Sequence, residues 1–383
     1  MQNLNDLIFN TNPFLSHLCK LSDLVGEERT ILHAGPPFYS ANEIPPPVMN
    51  SIVIAAIYEG WASDKRTVLG LIDSGAIRVS PAQDFNVVVP LAGVVSNSMA
   101  LMAVVDNQDS SLVKYSVINE GVDHCARLGK NDPYLVSHLK WLNSDFSDWL
   151  NECLVEKIYL LPLIFESIAN GDDCHANTSY SSKKMISVLS GFDLSPPDKA
   201  RQEFLDNCPA FCLNLWMCVA SLILDKFGRS SSDEVVTHAG GNGVRFGVKT
   251  SRSDGEWKVV SSPFINGEND NGLEDAISLG ALGDSAVVDF FGLGGQLLTL
   301  LPEARSRLSK HLPSDIEVRA KNTMLFECDG YEGMSGVSLI TSVDKCRKHE
   351  KGPLVLLGKI DANGVLGRVG GGVCDIPYAI FNK

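Results

Sequence analysis

Positive charge is scarce in this chain: 32 Lys and Arg stand against 46 Asp and Glu over 383 residues, a formal net charge of −14. Such a surface repels phosphate backbones and anionic membrane faces, and no Lys/Arg-rich run reverses it locally, so neither nucleic acid nor a membrane is an expected partner. Long hydrophobic runs are missing too. The stretch Leu213 to Leu224 is broken by Asn214 and Ser221 and falls far short of a bilayer span, so it reads as a buried helix. Met1-Gln2-Asn3-Leu4-Asn5-Asp6 has no basic start followed by an apolar region, so no export signal is expected and the cytoplasm is the expected location. None of the ten cysteines forms a Cys-x-x-Cys pair, and Cys208, Cys212 and Cys218 lie among apolar neighbours, a pattern of reduced core thiols rather than metal ligands. Walker A, Gly-x-Gly-x-x-Gly after the first strand, Gly-x-Ser-x-Gly and His-Glu-x-x-His are also missing. ATP, NAD and serine-hydrolase readings lose their ground, and no cofactor is called for.

What remains is an ordinary globular composition, 44% hydrophobic and 20% charged, in a chain long enough for two or three domains. The apolar positions Leu4, Leu7, Ile8, Phe14, Leu15 and Leu18 predict a short opening helix, and Thr30-Ile31-Leu32 the first strand. Prolines 36, 37, 45, 46 and 47 impose an irregular loop before helices over Val48 to Trp61 and Asp64 to Gly75. Strand patterns follow at 77–79, 86–89, 101–105 and 113–117, so residues 1–132 read as an α+β domain. From 133 to 229 the period turns helical, with long runs such as Trp141 to Ile168 and Lys199 to Lys226. Strands return after Arg229-Ser230-Ser231-Ser232, so residues 230–383 read as a second α+β domain, with a helix expected over Ser285 to Leu301. The fold class is α+β, two complex α+β domains with a helical subdomain between them.

The densest chemistry lies in Gly283 to Gly295, which places Asp284, Ser285 and Asp289 among glycines. Glycines let backbone approach a ligand, and successive backbone N–H groups form anion-binding concavities. Asp284 or Ser285 is equally suited to cap the helix that follows. Gly292, Gly294 and Gly295 fall inside that expected helix at roughly 1 kcal/mol each relative to alanine, which points to close packing or a helix break near a ligand. A second cluster, Gly171-Asp172-Asp173-Cys174-His175, suits acid–base work or a metal, and equally a helix start. His33, Gly35, Pro36 and Pro37 follow the first strand, where α/β architectures place ligands. Asn242-Gly243 is a hairpin signal, and the tail carries Gly364, Gly367, Gly370, Gly371 and Gly372.

In order along the chain, Thr30 to Pro37, Tyr58 to Ala62, Asn86 with Pro90 and Gly93, Ser96 to Met99, Asn119 to Gly121, Gly171 to His175, Phe211 to Leu215, Asn242-Gly243 with Phe246-Gly247, and Gly283 to Gly295 resemble the YlbE/AllG-like family. The resemblance implies two complex α+β domains joined with a helical orthogonal bundle. It also implies a subunit of a catabolic carbamoyltransferase that works with an FdrA-like partner, exchanging a carbamoyl group between oxalurate and phosphate to give oxamate and carbamoyl phosphate. An oligomer and a small polar anionic substrate, carbamoyl phosphate among the candidates, are then expected.

Such a reaction needs an anion site, donors for the carbamoyl oxygen and a general acid/base. Asp284, His175, His33 and Asp172 are the candidates for acid–base and polarising roles. Gly35, Asn86, Asn242, Gly283, Ser285, Gly292, Gly294, Gly295 and Gly371 are the candidate ligand-binding positions. The chain departs from the family where relatives carry a His pair, here Gln83 and Asp84, and where Ile360-Asp361-Ala362 replaces Ala-His-Lys. Three readings follow: a carbamoyltransferase-like enzyme, a noncatalytic binding subunit, and a metal-dependent amide hydrolase using Asp172, Asp173 and His175.

Overall fold

A computed structural model describes residues 10–191, 197–328 and 334–383. The first section contains strands β1 (Pro13–Lys20), β2 (Thr30–His33), β3 (Arg78–Pro81), β4 (Val87–Val88), β5 (Val94–Ser96), β6 (Ala100–Asp106), β7 (Val113–Val117) and β8 (Ile158–Tyr159). They form a five-stranded sheet in the order β4-β7-β6-β1-β8 and a three-stranded sheet in the order β3-β2-β5. The expected opening helix is in part a strand. Leu4, Leu7 and Ile8 lie outside the described residues, while Phe14, Leu15 and Leu18 belong to β1, antiparallel to the wholly buried β6. Tertiary pairing overrides the helical spacing because β6 offers an apolar edge that a lone short helix cannot match.

β2 and β3 run parallel, so the chain between them must cross over. It does so through helices Pro46–Tyr58, with proline in its first turn, and Lys65–Asp73, where Asp64 caps by accepting from Thr67 N at 2.9 Å. The helical stretch that follows contains Leu135–Trp141, Ser147–Cys153, Leu161–Ala169, Ser179–Gly191, Lys199–Asp206 and Phe211–Ser230. The run expected from Trp141 to Ile168 is interrupted by β8, whose Ile158 and Tyr159 pair with Leu15 and Phe14. Phe211–Ser230 is, among the described residues, the one helix long and apolar enough to cross a membrane, and most of it is buried inside the molecule. It packs on β6 and β7, and on the C-terminal section, as a core helix. Nine of the ten cysteines are buried, and Cys19 is half-buried.

The last section contains β9 (Val236–Asn242), β10 (Arg245–Thr250), β11 (Lys258–Ser261), β12 (Ile265–Asn266), β13 (Leu282–Gly283), β14 (Met324–Glu327), β15 (Ser338–Thr341), β16 (Leu354–Ile360) and β17 (Arg368–Asp375). The sheets run β11-β10-β9-β13, β12-β17-β16 and β14-β15. The Asn242-Gly243 hairpin forms between β9 and β10, with Gly243 at φ +84°.

The helix expected over Ser285 to Leu301 is broken. Ala286–Phe291 stops at Gly292, φ +127°, a short 3-10 turn spans Gly294–Leu297, and the next helix begins at Pro302. The cause is crowding. A Cβ on Gly292 would overlap the Ser338 carbonyl of β15, and one on Gly295 would lie 2.5 Å from the Leu354 carbonyl of β16. One apolar core runs from Leu15 through the helical stretch to Phe381, and a second lies under Pro46–Tyr58, so the architecture is α+β with sheets on either side of a helical region.

Candidate functional site

The two ends of Gly283 to Gly295 enter two different buried networks. At the first end, Asp284 joins the N-terminal loops to the C-terminal sheet. Its Oδ1 accepts from Gly35 N at 2.8 Å and Gln83 Nε2 at 2.6 Å, and its Oδ2 accepts from Val89 N at 3.0 Å. Its own N–H donates to the Val89 carbonyl at 2.9 Å. Backbone approaches this closely only because side chains are absent. A Cβ on Gly240 would stand 2.5 Å from Asp284 Oδ1, and one on Gly35, at φ +74°, would overlap the Gly241 backbone. Gly283, at φ +119°, lies against Leu91. Asn242 fastens the same seam, donating from Nδ2 to the Pro36 carbonyl at 2.8 Å and accepting at Oδ1 from Val244 N and Arg245 N.

Full burial pushes the Asp284 carboxyl up to about 7, against its hydrogen bonds from Gly35, Val89 and Gln83, which act to lower it. Beside it, His33 is held neutral, its ring pushed down to about 4 by burial, with Nδ1 2.8 Å from the Ala34 carbonyl. A more open rim lies alongside. Asp84 pairs with Lys249 at 2.7 Å and accepts from Trp257 Nε1 at 3.0 Å, while Trp257 and Pro36 pack into the space left by Gly247. Structure therefore brings His33, Gly35, Asn242, Gly283 and Asp284 together. Asn86 is on the sheet side, left-handed at φ 60°, where its Oδ1 accepts from buried Lys114 at 2.8 Å. Lys114 also pairs with Asp225 at 3.0 Å.

At the other end, His175 meets Asp289, which lies 114 positions away in the chain. His175 Nδ1 stands 2.5 Å from Asp289 Oδ2, while Asp289 Oδ1 accepts from Gly295 N at 2.7 Å and Leu356 N at 3.1 Å. Burial alone pushes the His175 ring down, but the Asp289 charge and hydrogen bond outweigh it and hold the ring above the ordinary histidine value. Asp173 Oδ1 accepts from His175 N and Asn177 N, and Cys174 between them is held at φ +65°. Gly294 N donates to the Asp173 carbonyl and Gly292 N to the Val288 carbonyl, so the amides of the broken helix are engaged within the fold.

Asp172 faces elsewhere, accepting from Tyr180 N and from Ser181 N and Oγ at the start of Ser179–Gly191. Asp172, Asp173 and His175 do not converge, and no group of three or more His, Cys, Asp or Glu able to hold a metal ion occurs among the described residues. Ser285 precedes the short helix without a side-chain capping bond. Gly371 lies in β17 opposite Gly358, in a different sheet from β9 and β13.

Residues 77–285, more than half of the chain, match the family described as oxamate carbamoyltransferase subunit AllG. The chain belongs to the AllG family. It is 25% identical over 379 residues to oxamate carbamoyltransferase subunit AllG of Escherichia coli (strain K12), covering 94% of this chain and 89% of that one. It is 26% identical over 377 residues to the uncharacterized protein YahG of the same organism, covering 93% and 78%. The fold is that of a conserved protein of unknown function from Enterococcus faecalis V583, with a TM-score of 0.89 at 22% identity over 98% of this chain and 93% of that one.

Gln83 sits in the Asp284 network and Asp84 at the rim. Asp361 is turned inward, accepting from Asn363 N, Val365 N and Leu366 N, so its charge holds its own loop. Sequence reading missed Asp289 as the partner of His175, because nothing local to either residue signals a contact across 114 positions.

The raised His175 value sets a sign. Its contribution to stability is fully present below the ordinary value of 6.5 and is lost as pH rises through the folded value. Asp289→Asn is therefore expected to cost roughly 2–4 kcal/mol at pH 6, as one partner of a buried pair is removed. The loss should shrink as pH rises. Urea unfolding of both proteins between pH 6 and pH 9 measures it, and a difference constant with pH would refute the assignment.

Proposed function

We propose that this AllG-family chain is a subunit of a carbamoyltransferase-like enzyme, moving a carbamoyl or related acyl group between phosphate and a small polar amide such as oxamate. The observation that carries the reading is Asp284, a carboxyl held between the two halves of the chain with its proton retained up to about 7. Transfer of a carbamoyl group from an amide nitrogen to phosphate leaves that nitrogen in need of a proton, and a group poised near neutral pH is suited to supply it. The reverse direction needs the same group as acceptor. Lys249 at the rim is the nearby ammonium suited to draw in an anionic substrate, although Asp84 partly offsets its charge. An FdrA-like protein is the proposed partner.

A binding subunit whose partner performs the chemistry is the second reading. It is favoured by the closure of Asp284, whose carboxylate is already occupied by three donors, and by Gln83 at the family's histidine position. Phosphate release from carbamoyl phosphate with oxamate, measured for the chain alone and with the partner, decides between them. The transferase reading expects release by the complex and at least a hundredfold loss in Asp284→Asn. Release that is undiminished in Asp284→Asn supports the binding subunit, and no release with any amide acceptor sinks the transferase reading.

A further inference from the structure

We infer that the junction contains a subsite for the –NH2 group of a primary amide or carbamoyl compound, with His33 Nε2 and Gln83 Oε1 as its acceptors. Both side chains are almost fully buried, at 1% and 3% exposure, and these two atoms have no hydrogen-bond partner. Buried polar atoms are nearly always satisfied, so two orphans in one small region call for an explanation.

The surroundings establish that each orphan is an acceptor. His33 Nδ1 faces the Ala34 carbonyl, which can only accept, so in the neutral ring Nδ1 carries the hydrogen and Nε2 the lone pair. Gln83 Nε2 faces two acceptors, Asp284 Oδ1 at 2.6 Å and the Ala239 carbonyl at 3.0 Å, which orients its amide and leaves Oε1 as the unpartnered acceptor. The two residues approach one region from adjoining segments: Gln83 lies in the 3-10 turn Ala82–Phe85 that follows β3, and its Nε2 and the Cα of Gly35, two residues after His33, both lie against Gly240. β2 and β3 are parallel with His33 opposite Pro81, and Gln83 follows two positions later.

A complementary group offers N–H donors in two directions and needs no negative charge nearby. The local carboxylates do not invite an ammonium. Asp84 already holds Lys249 and Trp257, and Asp284 already has donors from Gly35, Gln83 and Val89. Neutral imidazole and amide acceptors instead suit the weakly polarised –NH2 of oxamate, of a carbamoyl group or of a simple carboxamide. The subsite lies next to Asp284, so this inference deepens the transferase reading and rests on it for the choice of oxamate as probe.

Oxamate and oxalate differ in that the –NH2 of one is an oxygen in the other, which makes them the test pair. Calorimetric titration of the full chain at pH 7.5 should show oxamate bound at least tenfold more tightly than oxalate. His33→Phe keeps a ring but removes the acceptor. It should abolish that preference while lowering the thermal midpoint only modestly, since losing the Nδ1–H bond to the Ala34 carbonyl is partly offset by removing the unsatisfied Nε2. Equal binding of the two anions, no binding of oxamate, or an undiminished preference in His33→Phe would each overturn the subsite. An active complex whose chain shows no oxamate preference would overturn the subsite and leave the transfer reading standing. A preference that depends on His33 in a complex without transfer activity would do the reverse.

Discussion

Asp284→Ala is expected to destabilise the protein by roughly 3–5 kcal/mol, among the largest effects of any single substitution in the chain, because it strips the acceptor from three buried donors at once. Gly35 N, Gln83 Nε2 and Val89 N all point at this carboxyl, and the close packing around Gly240 leaves little room for water to replace it. Urea unfolding at pH 7 measures the loss, and a cost below about 1 kcal/mol would show that the junction relaxes around the gap.

The same site carries a pH signature. The Asp284 carboxyl rises from 3.8 to about 7, so its contribution to stability is fully present below 3.8 and is lost as pH rises through about 7. His33 is lowered from 6.5 to about 4, so its contribution is present above 6.5 and is lost as pH falls toward about 4. Between those limits the contributions of Asp284 and His33 to the slope oppose one another. Relative to wild type, His33→Phe should lose about 3 kcal/mol as pH rises from 4 to 6.5, at ~1.4 kcal/mol per pH unit, whereas Asp284→Asn should gain stability over the same window. Parallel profiles for all three proteins would rule out the opposed titrations.

Gly241→Ala is the second large effect. A methyl group there would be driven into the Ala281 carbonyl, while Gly35 already lies against the Gly241 backbone on the other side. Neither neighbour is a side chain that can rotate away. Overpacking typically costs about 1–3 kcal/mol, and backbone wedged on both sides belongs at or above the upper end. Gly171→Ala is the useful contrast, since φ +90° strains it while no atom crowds it. Loss of soluble or cooperatively folding protein for Gly241→Ala, against a modest shift for Gly171→Ala, is the expected result. Comparable melting midpoints would show that contact at the seam is not what requires glycine.

Much of the architecture was legible because it depends on local pattern. The strands at Thr30 and Val113, the helices beginning near Pro46 and Lys65, and the Asn242-Gly243 hairpin all rest on periodicity, prolines, caps and turn chemistry. β1 and β8 were misjudged because their strand character comes from pairing with each other and with β6. The glycines of the expected helix at Ser285 did announce a break, but the crowding by Ser338 and Leu354 was invisible in sequence.

By itself the sequence determined the α+β class, the scarcity of positive charge and the residue types available for chemistry, since these follow from composition and short-range pattern. It also marked Asp284, His33 and His175. Only the tertiary structure decided their company: Gly35, Gln83 and Val89 around Asp284, and Asp289 against His175. Hydrogen bonds across such separations, and the burial that pushes one carboxyl toward neutrality and holds one imidazole uncharged, are properties of packed neighbours rather than of any stretch of chain.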